Sequence, residues 1–173
     1  EGFGDFEHHT KLASLLGLHF THSREDKQSQ PSSTAIENTQ LRISDGTNIF
    51  QNGAFADSTQ ITRATYRMLA ADAGAKFRGT SLELTYYWRW LGDFETVGAI
   101  PVRSLFDHGA EAQLSTMLRP KMVQAYLSGS QIFGQYGKPW DVAGGVNVFP
   151  FREKHLRLNL QAQQLYRSPV GYA

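Results

Sequence analysis

Apolar and polar residues alternate along this chain, and the three-to-four spacing of an amphipathic helix fits it poorly. The clearest stretch is 81–90: Leu82, Leu84, Tyr86, Trp88 and Trp90 share one parity, and Glu83, Thr85, Tyr87 and Arg89 the other. Successive side chains of a strand leave opposite faces, so this spacing sets a continuous apolar face against a polar one. The preceding stretch repeats the pattern. Leu69, Ala71, Ala73, Ala75 and Phe77 alternate with Ala70, Asp72, Gly74, Lys76 and Arg78, and a tight turn is expected at Gly79-Thr80. Arg67 interrupts the apolar parity near the other end of that strand.

The same alternation recurs around Leu16, Leu18 and Phe20, around Ala112 and Leu114, around Ala125 and Leu127, around Val142 and Val146, and around Leu158 and Leu160. Seven antiparallel strands are therefore expected, near 11–23, 61–78, 81–91, 107–118, 121–133, 140–149 and 155–166, in a single all-β domain over 1–173. Most are longer than the five or six residues usual in globular sheets.

Alternation by itself suits both a soluble sandwich and a barrel with its apolar side in lipid. Three features favour the barrel. Short connections near 79–80, 119–121 and 149–155 alternate with longer ones near 25–60, 92–107 and 134–139, which places all the short turns at one rim. Phe20, Trp90, Phe106, Phe133, Trp140 and Tyr166 share the apolar parity and lie toward the long-loop ends, as a membrane-interface girdle requires. The middle of each apolar face is small or aliphatic, as at Ala71, Ala73, Leu84, Ala112 and Val146.

Composition narrows the picture further. Cysteine is absent, which excludes disulfide scaffolds, thiol nucleophiles and cysteine-bound zinc. A net charge of +1, from 17 basic and 16 acidic residues, gives no footprint for a nucleic-acid partner. No segment is apolar over the 18 or so residues of a membrane helix, an observation silent about membrane strands.

Several segments resemble the phosphate-selective porin O and P family. They are Asn38-Thr39-Gln40-Leu41-Arg42-Ile43-Ser44-Asp45-Gly46-Thr47-Asn48, the run from Ala70 through Asp72 and Lys76 to Gly79, and Tyr86-Tyr87-Trp88-Arg89-Trp90-Leu91. Ser104-Leu105-Phe106-Asp107-His108-Gly109, Gly129-Ser130-Gln131-Ile132-Phe133-Gly134 and Ser168-Pro169-Val170-Gly171 fit as well. The resemblance covers most of the chain and the C-terminal half of the family's pattern. It implies an antiparallel transmembrane β-barrel of about 16 strands in the bacterial outer membrane, commonly trimeric, passing small and often anionic solutes. On that footing the seven strands are expected to be slightly under half of a barrel, cut at both ends.

The implied function is a porin: a water-filled channel for passive diffusion of small hydrophilic solutes or ions, anions among them, with no chemical step and no cofactor. Its partners would be outer-membrane lipid, the solutes and two further copies of the chain. The expected pore-lining residues are Asp72, Lys76, Arg78, Glu83, Arg89, Glu111 and Arg157. With Asp141 they give four bases against four acids, which departs from the arginine rows and lysine cluster of anion-specific members.

Other signals are weaker. His8, His9 and His19 lack a carboxylate at ligand spacing, so no metal site is expected. Asp107-His108 is unaccompanied by a nucleophile motif, and no phosphate loop or dinucleotide fingerprint occurs, so the chain does not read as an enzyme. Asp45-Gly46-Thr47-Asn48 reads as a turn. The connection 25–60 is long enough to fold into a lumen or to cover a subunit contact. Two other functions suit the same pattern: a small complete outer-membrane barrel acting as anchor or adhesin, and a soluble lipocalin-like binding protein.

Overall fold

The computed structural model describes residues 4–26 and 41–167. Among them seven strands form one antiparallel sheet in chain order, and no helix occurs. The strands are β1 (Ala13–Asp26), β2 (Gln60–Phe77), β3 (Thr80–Val97), β4 (Leu105–Arg119), β5 (Val123–Phe133), β6 (Trp140–Val148) and β7 (Leu158–Tyr166). Each pairs only with its neighbours in sequence, and the outer edges of β1 and β7 carry no strand among the described residues. Part of the 25–60 connection (27–40) and two resembling segments (38–40 and 168–171) lie outside the described residues.

Several boundaries differ from expectation, each for a local reason. The β2–β3 turn is Arg78-Gly79 rather than Gly79-Thr80. Both residues have positive φ, 49° and 84°, the two-residue turn whose twist matches that of the flanking strands. β3 runs on to Val97 because Asp93 and Glu95 meet arginines of β1 and β2: Arg67 to Asp93 at 3.0 Å, Arg24 and Arg63 to Glu95 at 2.6 and 3.2 Å. Arg67, the break in the apolar parity, thus lies where the strand already carries ion pairs. The connection expected over 92–107 shrinks to 98–104. β7 begins at Leu158, so the connection after β6 spans 149–157 and is longer than 98–104 or 134–139. Loop length therefore does not sort the two rims as strictly as the sequence suggested.

Register fixes which residues share a face. Directly opposed residues point the same way, so the partners Leu16–Ala73–Leu84–Ala112–Gly129–Val142 trace one row across the apolar face. Nothing described covers this face: in mid-sheet, Leu114 and Leu127 are 48% and 55% exposed. The polar face is covered at both ends. Ser115, Gln124 and Asn147, which belong to it, are only 1–2% exposed. The described covering segments thus lie on the polar face and not on the apolar one.

Candidate functional site

At the end where β3 meets β4, the loop 41–59 folds onto the polar face. Residues 41–49 form a small hairpin. Ile49 N donates to Leu41 O at 3.0 Å, Ile43 N donates to Thr47 O at 3.0 Å, and Asp45-Gly46 makes the turn, with Gly46 at φ 92°. Its apolar residues Ile43, Ile49 and Phe50 are buried with Ala64, Leu91 and Leu105, whose register places them on the polar side of β2, β3 and β4. Tyr136 N donates to Ser44 Oγ at 3.1 Å, tying the loop to the β5–β6 connection. Burial, and then the Asp45 carboxylate, pushes the Tyr136 phenol above its ordinary value and keeps it neutral. Gly134 leaves room for this docking, since a Cβ there would collide with Ser44. The described part of the long connection thus packs on the polar face of the sheet.

At the opposite end the residues ahead of β1 cover the same face. Asp5 is fully buried and accepts from Gly79 N at 2.7 Å and from His9 N at 3.0 Å. Phe6 sits edge-on to Phe149, 4.9 Å between centroids, and beside Met117. Beneath this segment runs a chain of hydrogen bonds spanning five strands. Ser81 and Ser115 hydroxyls lie 2.9 Å apart, and Gln124 Nε2 donates to Ser115 Oγ at 3.0 Å. Asn147 Nδ2 donates to Gln124 Oε1 at 2.9 Å, and Asn159 Nδ2 to Asn147 Oδ1 at 2.8 Å. Buried amides and hydroxyls need partners, and each of these has one on the next strand.

Between the two covered ends the polar face is open, and register sorts its charges by height. Gly17, Asp72, Thr85, Glu111, Ser130, Asp141 and Leu165 are successive cross-strand partners. That row carries three carboxylates and no lysine or arginine. Thr85 Oγ1 donates to Asp72 Oδ1 at 2.8 Å, Ser130 Oγ donates to Asp141, and His19 Nε2 lies 2.7 Å from Asp72. The next row toward the short turns adds Glu83 opposite Gln113, and the row after it holds Lys76 opposite Ser81. Asp72, Lys76, Glu83 and Thr85 line one groove beside β1.

The other expected pore-lining bases stand elsewhere. Arg78 is in the β2–β3 turn, its guanidinium 4.9 Å from the Phe77 ring centroid. Arg89 lies two rows nearer the 41–59 loop and pairs with Asp107, which is buried. Arg157 precedes β7 by one residue. The four-against-four balance of the sequence thus becomes four carboxylates in the two open rows, with Lys76 in the row of buried Ser81 and Ser115.

The six expected girdle aromatics fall within three adjacent rows of the apolar face. Trp90 opposes Phe106, Trp140 opposes Tyr166, and Phe133 and Phe20 lie in the row between. Tyr86, Trp88 and His108 complete the band. His108 stacks on Phe133 at 5.1 Å and on Phe106 at 5.7 Å, and the Tyr86 hydroxyl is 2.6 Å from its Nδ1. Tyr86 and Trp88 carry the right parity in the sequence, and His108 follows from Phe106 by the same count of two. Asp5, which lies ahead of β1, leaves no such periodic trace.

Among the described residues no three His, Cys, Asp or Glu side chains gather as a metal site. Comparison with protein families, curated proteins and solved structures finds no match to this chain.

Proposed function

We propose that this sheet is part of the wall of an outer-membrane β-barrel channel, with the apolar face in lipid and the polar face toward a water-filled lumen. One observation carries the reading: the chain's own segments fold onto the polar face at both ends, while no described residue covers the apolar face, which wears a band of aromatics at one level. A lipocalin-like protein would turn its apolar side inward, around a ligand, and would place its covering segments there. Strands of nine residues or more suit a tilted membrane crossing, which takes about 9–11. The resemblance to the phosphate-selective porin O and P family supports the same reading, and with it a barrel of further strands and a trimer.

The open rows favour cations. Carboxylates at one height in a narrow aqueous path raise the local cation concentration and repel anions. Asp72, Glu111 and Asp141 occupy such a height, with Glu83 beside them. Anion passage, which the resemblance implies, finds no basic row among the described residues to draw it.

Reconstitution tests both parts. Liposomes carrying the full-length protein should swell in small sugars. In planar bilayers under a salt gradient, the reversal potential should report cation preference. The triple variant Asp72→Asn, Glu111→Gln, Asp141→Asn should bring that preference close to unity. Vesicles that stay tight would sink the channel; an anion-selective wild type would sink the selectivity alone.

A further inference from the structure

We infer that residues 4–10 form a strap across the short-turn mouth of the lumen, and that this strap, held by Asp5 and Phe6, sets the size limit for solutes at that end. The inference rests on the channel reading. It starts from three separate turns that the strap touches. At the β2–β3 turn, Gly79 N donates to Asp5 Oδ2 and Arg78 N donates to His9 O at 2.8 Å. At the end of β4, Phe6 packs against Met117, and Glu7 lies 3.5 Å from Lys121. In the β6–β7 connection, Phe149 receives the Phe6 ring and Lys154 reaches Glu7 at 2.7 Å.

The strap follows from its own residues. Asp5 accepts the His9 amide four residues on, closing a turn in which His8 takes φ 58°. That turn aims Phe6 at the sheet, where Met117 and Phe149 supply an apolar seat on an otherwise polar face. Lys121 and Lys154 also stand 6.0 and 5.4 Å from the Phe6 ring centroid, so the same two cations hold both ring and carboxylate.

The consequence for permeation is geometric. Ser81, Ser115, Gln124 and Asn147 would face lumen water if the strap were away, yet each is at most 2% exposed. The strap lies directly on the wall, so a solute crossing this end passes on the strap's far side. The strap subtracts its full cross-section from the mouth.

The test is single-channel conductance of the full-length protein. Asp5→Ala with Phe6→Ala removes both anchors and should raise conductance by roughly half or more, with a matching rise in the largest permeant sugar. A second variant adds Glu7→Cys and Lys154→Cys to that background, and a short bis-maleimide bridge between them should return conductance to the wild-type level. Wild-type current with an unchanged double variant would overturn the strap and leave the channel standing. A rise that the bridge does not reverse would mean general loosening of the wall and would overturn it too. A silent wild type would remove the channel on which the strap rests.

Discussion

Asp107 and His108 are chain neighbours with unrelated surroundings. The carboxylate points to the polar side and pairs with Arg89, while the imidazole joins the aromatic band between Phe106 and Phe133. In the sequence this divergence is visible only once the period of two is applied to them. Gly109, next in line, makes a different point. A Cβ there would lie 2.6 Å from the Tyr87 hydroxyl and 2.8 Å from Gln131 O, so the tyrosine leans into the space that glycine leaves. Gly109→Ala should cost about 1–3 kcal/mol, read as a lower urea midpoint of the detergent-folded protein. Asp5 carries a pH dependence. Burial alone would raise its pKa, but the His9 side chain and the His9 and Gly79 amides outweigh it and hold the carboxyl below its ordinary range. A depressed folded-state value contributes stability above the unfolded-state value and loses it as pH falls through the folded one. Wild type should therefore exceed Asp5→Asn by about 1–3 kcal/mol at neutral pH, a gap closing in acid below the ordinary carboxylate range. A gap that widened in acid would contradict this account of Asp5.

At the scale of elements, all seven strands were legible because the signal for a strand is local: two residues decide the face of the third. Turns and ends were less so. The shift of one residue at Arg78-Gly79 took an arginine out of the wall, and β3 outran its alternation because ion pairs with β1 and β2, invisible in one strand's pattern, extend it. The docking of 41–59 on the polar face has a trace in the sequence, namely apolar Ile43, Ile49 and Phe50 in a connection otherwise rich in turn residues. The proposed placement of the two faces makes opposite demands on neighbouring strands. Leu84→Arg, on the bare face, should cost about 2–4 kcal/mol and deplete the protein from the outer membrane. Gln113→Arg, on the polar face, should assemble at the wild-type level by heat-modifiable mobility on gels. Equal tolerance of the two would speak against a lipid-facing side.

For the whole molecule, what the sequence could not supply was height. Alternation assigns each charged residue to a face, but the balance of charge at one height depends on which residues share a row, and rows exist only once register is set. Register puts Asp72, Glu111 and Asp141 level, sends Arg89 under the 41–59 loop with Asp107, and leaves Arg157 ahead of its strand. The two covering segments were likewise out of reach, since each is defined by contacts between residues far apart in the chain. Together they make the polar face an open middle between two covered ends. The most direct test of that account is a single-cysteine scan of residues 110–115 in β4, on the cysteine-free segment, in intact outer membranes treated with a water-soluble thiol reagent. Positions 111, 113 and 115 belong to the polar face and 110, 112 and 114 to the apolar one; the strap covers 115. The account predicts labelling at 111 and 113 and protection at 110, 112, 114 and 115. Labelling of 110, 112 and 114 as strong as that of 111 and 113 would contradict it.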